Sequence, residues 1–415
     1  MKILYLAHRI PFPPDKGDKL RAFRQIEHLG KRHDVTLACF VDDKADRVHI
    51  DALRDHCEEV IAVDLNPTKA KLRGMWALAN GGTLTEAYYR HPVMLSEVDR
   101  LSRTDRFGAA VAFSSSMAPY LMRTRVRRRV MDFCDCDSQK WLAYAEGGGF
   151  PARVAYKMEG KRLARRERAW ASVFDATILI TSAEAKSLRP YVARGRLHVV
   201  GNGVSLPLLP EAAPVHPPTV GFVGVMDYQP NVDAVCRFVD RCWMEIREAI
   251  PGARFLIVGR SPVAAVRRLA RLPGVEVTGG VPDVRVVLER MDVSVAPMRI
   301  AQGLQNKVLE AMASAKPVVM SCRAEEGLGG EHGRDYIVSK SDEAFIRDVR
   351  HLLRDASERR RIGEAARQYV ATHHRWGDML SRFELIVTGQ VQRSSPVADV
   401  ASLRVPPRPV FETLS

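Results

Sequence analysis

Short apolar runs alternate with helical patterns along most of the chain. In the first half, seven such runs predict strands at residues 3–7, 35–41, 60–64, 109–113, 129–133, 176–180 and 197–200. Continuous hydrophobicity implies burial on both faces, as in a parallel sheet covered by helices. Amphipathic patterns at 19–29, 154–172 and 183–188 predict helices between the strands. The first half is therefore predicted to be a doubly wound α/β domain.

A second alternating series comes after a proline-rich segment. Residues 206–218, LPLLPEAAPVHPP, hold five of the 24 prolines, which excludes a helix interior or a central strand. Six further runs predict strands at 219–225, 254–258, 275–278, 292–296, 317–320 and 336–338. We therefore expect a domain at 1–205, a linker at 206–218, a second domain at 219–372, a helix at 373–389 returning toward the first domain, and a disordered tail at 390–415. Two such sheets should face each other across a ligand-binding cleft.

Composition narrows the class of protein. Hydrophobic residues make up 46% and charged residues 27%, as in soluble globular proteins. No apolar run reaches the roughly 18 residues that a membrane-spanning helix needs, and the N-terminus reads as a strand rather than a signal peptide. A cytoplasmic location is therefore expected. The spacings of the seven cysteines match no zinc or redox motif, which favours free thiols.

The net charge of +14 is concentrated in two clusters, at 123–129 and at 153–168. Such surfaces attract polyanions, although a solvated basic face is the simpler alternative. No nucleic-acid motif accompanies the charge, and aromatic residues make up only 7%. The charge therefore favours an anionic membrane surface or a diphosphate substrate, and no nucleic-acid partner is expected.

The most informative chemistry lies in residues 293–319, where a strand, a loop, a helix and a second strand are predicted. Lys307 and Glu310 stand three residues apart and share one face of the helix. A surface ion pair is the simple interpretation, but a cation near the helix start opposes the macrodipole, and the order of the two charges is the weaker one. An anion docked at the helix start would relieve this conflict. Lys307 and backbone N–H groups would then hold a phosphate, and Glu310 would accept hydrogen bonds from two ribose hydroxyls.

Three other motifs border the predicted cleft. Gly17 and Asp18 form a loop after the first strand, but without a G-x-G-x-x-G fingerprint, so a nicotinamide dinucleotide is not expected. Asn202 and Gly203 form a turn just before the linker. Three carboxylates lie near the end of one predicted strand: Asp132, Asp135 and Asp137. They could bind a metal or act as a base, and helix capping is the alternative for Asp137.

In combination, the motifs resemble glycosyltransferase family 4. They are HRIPFPPDKGDKLR, DFCDCDSQKW, TILITSAEAKSL, NGV, FVGVMDYQPNVDA, FLIVG, VTGGVPD and QNKVLEAMA, and they resemble most closely the bacterial sugar transferases of exosortase-linked (PEP-CTERM) exopolysaccharide systems. The resemblance covers about residues 1–385. It implies a GT-B fold, in which two Rossmann-like domains face a cleft and the C-terminal one holds most of the nucleotide-sugar donor. It also implies retention of anomeric configuration, with no metal and no cofactor.

The resemblance also assigns residues. Glu310 matches the ribose-binding glutamate, Lys307 a lysine near the donor phosphates, and Val281 a position where the backbone meets the base. Residues of the loop beside the transferred sugar and of the helix start complete the donor side: Gln302, Gly303, Leu304 and Asn306. Asp132 and Asp135 lie on the acceptor side, and Gly17 in the loop that approaches the donor.

The chain departs from the family pattern at two places. Gln302 replaces a frequent glutamate. The usual Arg and Lys after the first strand of the second domain are replaced by Met226, Asp227 and Asn231. The remaining candidates for neutralising the phosphates are Arg260, Arg299 and Lys307.

The sequence thus predicts a retaining glycosyltransferase that moves a sugar from a nucleotide diphosphate sugar to a saccharide or lipid-linked saccharide acceptor. Lys307, Glu310 and Asp132 are the predicted catalytic residues. A nucleotide-sugar epimerase on the same fold and a non-catalytic glycan- or lipid-binding protein are the alternatives. The basic helix at 154–172 is predicted to dock on anionic membrane, at the inner face of the cytoplasmic membrane.

Overall fold

Two separate parallel sheets organise the chain in the computed structural model, which describes residues 1–104, 106–147, 149–209, 216–301 and 303–391. Gln302, part of the predicted linker (210–215) and most of the predicted tail (392–415) lie outside this description. All thirteen predicted strands are confirmed, with ends that differ by at most two residues. This agreement is explained by the continuous apolar runs, which the central strands of each sheet bury on both faces.

The first sheet has seven strands in the order β3-β2-β1-β4-β5-β6-β7, and every neighbouring pair is parallel. Its strands are β1 (Lys2–Ala7), β2 (Asp34–Val41), β3 (Glu59–Asp64), β4 (Ala109–Phe113), β5 (Arg128–Cys134), β6 (Ala176–Leu179) and β7 (Leu197–Val199).

The second sheet has six strands in the order β10-β9-β8-β11-β12-β13, again all parallel. Its strands are β8 (Thr219–Val223), β9 (Arg254–Val258), β10 (Val275–Gly279), β11 (Val293–Ala296), β12 (Val318–Met320) and β13 (Ile337–Val338). The strand order reverses direction beside β1 in the first sheet and beside β8 in the second. Ligands of such sheets bind beyond the carboxyl ends of the strands, at these points.

Helices connect the strands of both sheets. Those of the first half are α1 (Gly17–Gly30), α2 (Ile50–Arg54), α3 (Pro67–Ala79), α4 (Leu84–Tyr89), α5 (Pro92–Thr104), α6 (Ala118–Leu121), α7 (Asp137–Gly147), α8 (Ala152–Val173) and α9 (Ser182–Leu188). Those of the second half are α10 (Gln229–Phe238), α11 (Met244–Ala249), α12 (Ala264–Leu269), α13 (Val284–Glu289), α14 (Asn306–Ala313), α15 (Cys322–Glu325), α16 (Asp342–Arg354), α17 (Ala356–His373) and α18 (Trp376–Thr388).

Alternate residues of the first sheet enter different apolar cores. On β1, Leu4 and Leu6 pack into one core, while Ile3 and Tyr5 pack into the core on the opposite face. Each is 0% exposed, and burying such a side chain contributes about 1.5–3 kcal/mol. The two cores hold the sheet between helical layers, so the carboxyl ends of its strands remain free to border a cleft.

Helix α18 returns to the first sheet after the second domain is complete. Its Phe383, Ile386 and Val387 are fully buried in the core beside α1. Arg128 Nε on β5 donates a 2.7 Å hydrogen bond to the Ile386 carbonyl, which ties the helix to the sheet. None of the helices in the described ranges combines the length and apolar character needed to span a bilayer.

Candidate functional site

A cavity of about 350 Å³ lies between the two domains and is lined by residues of both. The first half contributes the loop before α1, α1 itself and the segment after β7, while the second contributes α13, one face of α14 and the start of α18. The lining residues are Pro14, Leu20, Arg24, Gly203, Val204, Ser205, Pro207, Asp283, Val284, Arg285, Leu288, Asn306, Glu310, Ser314 and Trp376. The cavity thus brings sequence-distant segments to one face of α14.

Helix α14 begins without a side-chain cap. Asn306 is its first residue, and the preceding Gln305 makes no capping hydrogen bond with its side chain. Gly303 has a φ of 64°, a left-handed conformation that favours glycine. The first N–H groups of a helix have no partner within the helix, and the macrodipole adds partial positive charge there. The loop and helix start therefore form a backbone arrangement that favours an anion.

Lys307, the second residue of α14, points into the second domain. Its Nζ donates to Asn231 Oδ1 at 2.5 Å and lies 4.7 Å from the centroid of the Phe222 ring. Its Nζ contacts Asn231 and Met298 rather than Glu310, so the simple interpretation as a surface ion pair is wrong. Burial lowers the pKa of the ammonium to about 7, and the nearby Glu310 carboxylate opposes that shift. The structure therefore holds a half-buried cation without a direct carboxylate partner.

Glu310 is half-buried and faces the cavity. Burial raises the pKa of its carboxyl to about 7, while Lys307 acts in the opposite direction. Within the part of the chain that the structure describes, Glu310 has no hydrogen-bond or ion-pair partner for its side chain. An unpaired acceptor that borders a cavity can receive hydrogen bonds from a ligand's hydroxyl groups.

Other predicted donor residues surround the start of α14. Gly17 and Asp18, predicted in a loop, form the start of α1. A Cβ added at Gly17 would lie 3.1 Å from Asn306 Nδ2, so the start of α1 lies beside the start of α14. Leu304 is buried in the core of the second domain. Val281 packs against the same core, and its neighbours Asp283 and Val284 line the cavity, although Val281 does not.

The two predicted arginines already have carboxylate partners. Arg260 pairs across the domains with Asp15, in the loop before α1. Arg299 Nε donates to Asp233 at 3.0 Å and is largely exposed. None of the three candidates for neutralising phosphates, Arg260, Arg299 and Lys307, lines the cavity. Lys307 differs from the two arginines in that it lies in the first turn of α14 and has no carboxylate partner among the described residues.

Asp132 is 0% exposed and already receives hydrogen bonds on both oxygens. Oδ2 accepts from Arg21 Nε at 3.0 Å and from Gln25 Nε2 at 2.7 Å, and Oδ1 accepts from the Cys134 N–H at 2.9 Å. Asp132, predicted as a catalytic residue on the acceptor side, is therefore enclosed, and neither oxygen of its carboxylate is exposed. Any influence on the site must pass through its neighbours.

Asp135 lies closer to the predicted donor loop. A Cβ added at Gly303 would lie 2.2 Å from Asp135 Oδ1, an atom that is buried without a hydrogen-bond partner among the described residues. Burial and the neighbouring Asp137 raise the pKa of this carboxyl to about 6. Asp137 accepts a hydrogen bond from Ser115 Oγ. Across the described ranges, no group of three His, Cys, Asp or Glu side chains is placed to hold a metal ion.

Sequence reasoning missed a lysine beside this carboxylate. Lys140 on α7 is half-buried, and its Nζ lies 6.0 Å from the ring centroid of Tyr228 in the second domain. It has no ion pair within 4.0 Å in the described chain. Its position in DSQKW, next to the predicted carboxylates, was the available signal. Arg24 and Trp376 also line the cavity, but only the tertiary structure brings them there.

Comparisons with known proteins agree with this architecture. The model of the family described as Glycosyl transferases group 1 matches residues 217–355. No curated protein gives a significant match in sequence. Solved structures share the fold over 93–94% of this chain at low sequence identity.

HepE from Anabaena, crystallised with UDP and glucose, is 14% identical, with a TM-score of 0.66 over 94% of this chain and 100% of that one. Sucrose-phosphate synthase from Thermosynechococcus elongatus is 15% identical, with a TM-score of 0.71 over 94% and 99%. WaaG, a glycosyltransferase involved in lipopolysaccharide biosynthesis, is 16% identical, with a TM-score of 0.65 over 93% and 100%. The chain therefore has the two-domain α/β architecture of GT-B glycosyltransferases, and its second domain matches the Glycosyl transferases group 1 family over residues 217–355.

Proposed function

We propose that this chain is a retaining, metal-independent glycosyltransferase. It would move a sugar from a nucleotide diphosphate sugar to a saccharide or lipid-linked saccharide acceptor, in bacterial exopolysaccharide or cell-surface glycan synthesis. The observation that carries the proposal is the unpaired Glu310 carboxylate, which faces an interdomain cavity from a helix whose start is uncapped. One helix thus offers an acceptor for ribose hydroxyls and an anion site for phosphates.

The chemistry depends on where charge develops. As the bond from the anomeric carbon to the phosphate breaks, negative charge grows on the leaving diphosphate. N–H groups at the start of α14 and the Lys307 ammonium would stabilise that charge. The acceptor hydroxyl would attack from the face that the phosphate leaves, and a phosphate oxygen would take its proton. Asp135, beside Gly303, is suited to accept a hydrogen bond from a sugar hydroxyl, since its Oδ1 lacks a partner among the described residues.

UDP is the first nucleotide to test, because the HepE structure contains UDP and glucose. A thermal-shift panel of UDP-, GDP-, ADP- and dTDP-sugars would identify the base, since a ligand that binds only the native state raises the midpoint of unfolding. If no member of the panel raises the midpoint of unfolding, the proposal is contradicted.

Transfer assays then test the residues. Glu310→Ala and Lys307→Ala should each strongly reduce transfer while the protein stays folded. Glu364→Ala and Lys340→Ala, at exposed positions, are matched controls that should keep normal activity. Near-normal transfer by both site variants would rule out the proposed roles. Epimerisation of the donor without any acceptor would instead support the epimerase alternative.

We also propose that the first domain docks on anionic membrane, where a lipid-linked acceptor would lie. Helix α8 presents a shallow cavity lined by Arg153, Val154, Lys157, Met158 and Lys161. The neighbouring helix α3 exposes Leu72, Met75 and Trp76, of which Trp76 is 70% exposed. Exposed apolar side chains beside cations suit the interface of an anionic bilayer.

Vesicle cosedimentation tests the membrane proposal. Binding to vesicles with anionic lipid should exceed binding to neutral vesicles and should fall at moderate salt. The Lys157→Glu/Lys161→Glu variant should lose binding, whereas Lys340→Glu, an exposed lysine of the second domain, should not. Binding that is absent, or that salt does not weaken, would contradict this docking surface.

A further inference from the structure

A chain of side-chain hydrogen bonds joins the buried Asp132 to the first residue of α14. Arg21 donates to Asp132 Oδ2 with Nε at 3.0 Å, and its Nη1 donates to Asn202 Oδ1 at 3.0 Å. Asn202 Nδ2 in turn donates to Asn306 Oδ1 at 2.9 Å. Resting on the function proposed above, we propose that Asn202 is a positioning residue that couples the core of the first domain to the donor-binding helix.

The end of this series of hydrogen bonds that lies in the first domain is rigid. Arg21 is 1% exposed and Asp132 0%, and they lie on α1 and β5. Gln25 also donates to Asp132, and Tyr5 Oη donates to Gln25 Oε1 at 2.6 Å. The planar guanidinium presents donors at fixed angles, so its hold on Asp132 determines where Nη1 points. Arg21 therefore holds the Asn202 amide in one place.

Arg21 also determines the orientation of that amide. A guanidinium can only donate, so the Asn202 atom facing it must be the carbonyl oxygen, and the Nδ2 group must point to Asn306. The Asn202 side chain is 4% exposed. An amide has both a donor and an acceptor, and Asn202 uses both. A break between Asn202 and Asn306 would leave the buried Asn202 Nδ2 without this partner, which favours contact between the domains.

Asn202 also meets the segment that precedes α18. Its carbonyl accepts a hydrogen bond from His374 Nδ1 at 3.3 Å, and the Val204 N–H donates to the His374 carbonyl at 2.7 Å. Three parts of the chain thus converge on the NGV turn: α1, α14 and the crossover before α18. The turn was predicted from sequence only as a border of the cleft, and its role as a junction comes from these contacts.

The tie to Asn306 bears on the two site residues of α14. Lys307 is the next residue, and Glu310 lies one turn further along, facing the cavity that Asn306 also lines. The helix start has no side-chain cap of its own. Asn202 therefore supplies an external anchor that sets the position of both site residues relative to the first domain.

A double-mutant cycle tests the coupling. Asn202→Ala and Asn306→Ala should each weaken binding of the nucleoside diphosphate by about tenfold, a usual size for coupled sites. The affinity of the double variant should also be about tenfold lower than that of wild type, and no lower, because both changes break the same hydrogen bond. Asn80→Ala, which removes an exposed asparagine, is the control and should bind normally. Additive losses, or unchanged binding in the single variants, would overturn the proposal.

A second measurement separates this inference from the proposed function. Hydrogen exchange of residues 303–313 in the ligand-free protein should accelerate in Asn202→Ala. In Asn202→Asp it should return toward wild type, since the carboxylate still accepts from Arg21 and the Asn306 amide can turn to donate to it. If wild-type protein binds no nucleotide but shows this pattern, the proposed function fails and the coupling stands. Unchanged exchange in folded Asn202→Ala and Asn306→Ala proteins would overturn the coupling whatever the ligand is.

Discussion

The ribose contact of Glu310 gives the sharpest quantitative prediction. The carboxylate faces the interdomain cavity and has no partner for its side chain in the described ranges, so a ligand would supply its hydrogen bonds. Hydrogen bonds to a charged group contribute about 1.5–3 kcal/mol. Glu310→Ala should therefore weaken binding of a nucleoside diphosphate by about 12- to 150-fold, at about 1.4 kcal/mol per factor of ten.

The raised pKa of Glu310 changes this magnitude only slightly. With a pKa of about 7, about half of the carboxyl groups are ionised at neutral pH. Ionising the remainder for a ligand costs about 0.4 kcal/mol, roughly a factor of two in affinity. Glu310→Gln should retain part of the binding, because its amide oxygen still accepts a hydrogen bond but carries no charge.

Calorimetry with a ribonucleotide and its 2′-deoxy and 3′-deoxy analogues tests the contact itself. Wild-type protein should prefer the ribonucleotide, and Glu310→Ala should bind all three about equally, because the hydroxyl groups have lost their shared acceptor. Glu364→Ala, at an exposed site, should keep the wild-type preference. If Glu310→Ala keeps the full preference for the ribonucleotide, the carboxylate does not bind ribose and the reasoning is refuted.

Three further outcomes are expected from buried charges. Affinity for a nucleoside diphosphate should fall as the pH rises above about 7, because burial lowers the pKa of Lys307 to about 7 and the side chain then loses its positive charge. Calorimetry should show this decline in wild-type protein and not in Lys307→Met. Arg21→Met should destabilise the protein by about 3–5 kcal/mol in urea unfolding, since it leaves the Asp132 carboxylate buried and unpaired; a loss below about 1 kcal/mol would contradict this. Burial raises the pKa of Glu184 to about 8, so the stabilising contribution of the protonated carboxyl is complete below about pH 4.5 and is lost as pH rises through about 8. In Glu184→Gln, the free energy of unfolding should fall less steeply over this pH range. An equal slope in wild type and Glu184→Gln would contradict the prediction.

The alternation of strands and helices could be predicted from sequence because it depends on local patterns. Each apolar run favours a buried extended segment, and every one of the thirteen became a strand, with the edge strands β3, β7, β10 and β13 only partly buried. The relative position of Lys307 and Glu310 could be predicted in part for the same reason. Helical periodicity places them on neighbouring turns, but their contacts with Asn231 and with the cavity were not predictable, because those partners come from other segments.

The carboxylates at the end of β5 differ in a way that a local sequence pattern cannot predict. Asp132 and Asp135 stand three residues apart in one motif, yet Asp132 is enclosed by α1 while Asp135 lies against Gly303 of the second domain. The motif predicted the same acceptor-side role for both. Their difference depends on which helix covers the strand end and on how the two domains meet.

By itself, then, the sequence determined two parallel sheets, the helix that carries Lys307 and Glu310, and the resemblance that suggested a nucleotide-sugar donor. Tertiary structure alone decided that Asp132 is an internal anchor, that Arg24 and Trp376 reach the cavity, and that Asn202 links Arg21 to Asn306. The physical reason is the range of the interactions. Hydrophobic periodicity acts between residues a few positions apart, whereas these hydrogen bonds join side chains separated by more than a hundred positions, and only the folded chain brings them within 3 Å.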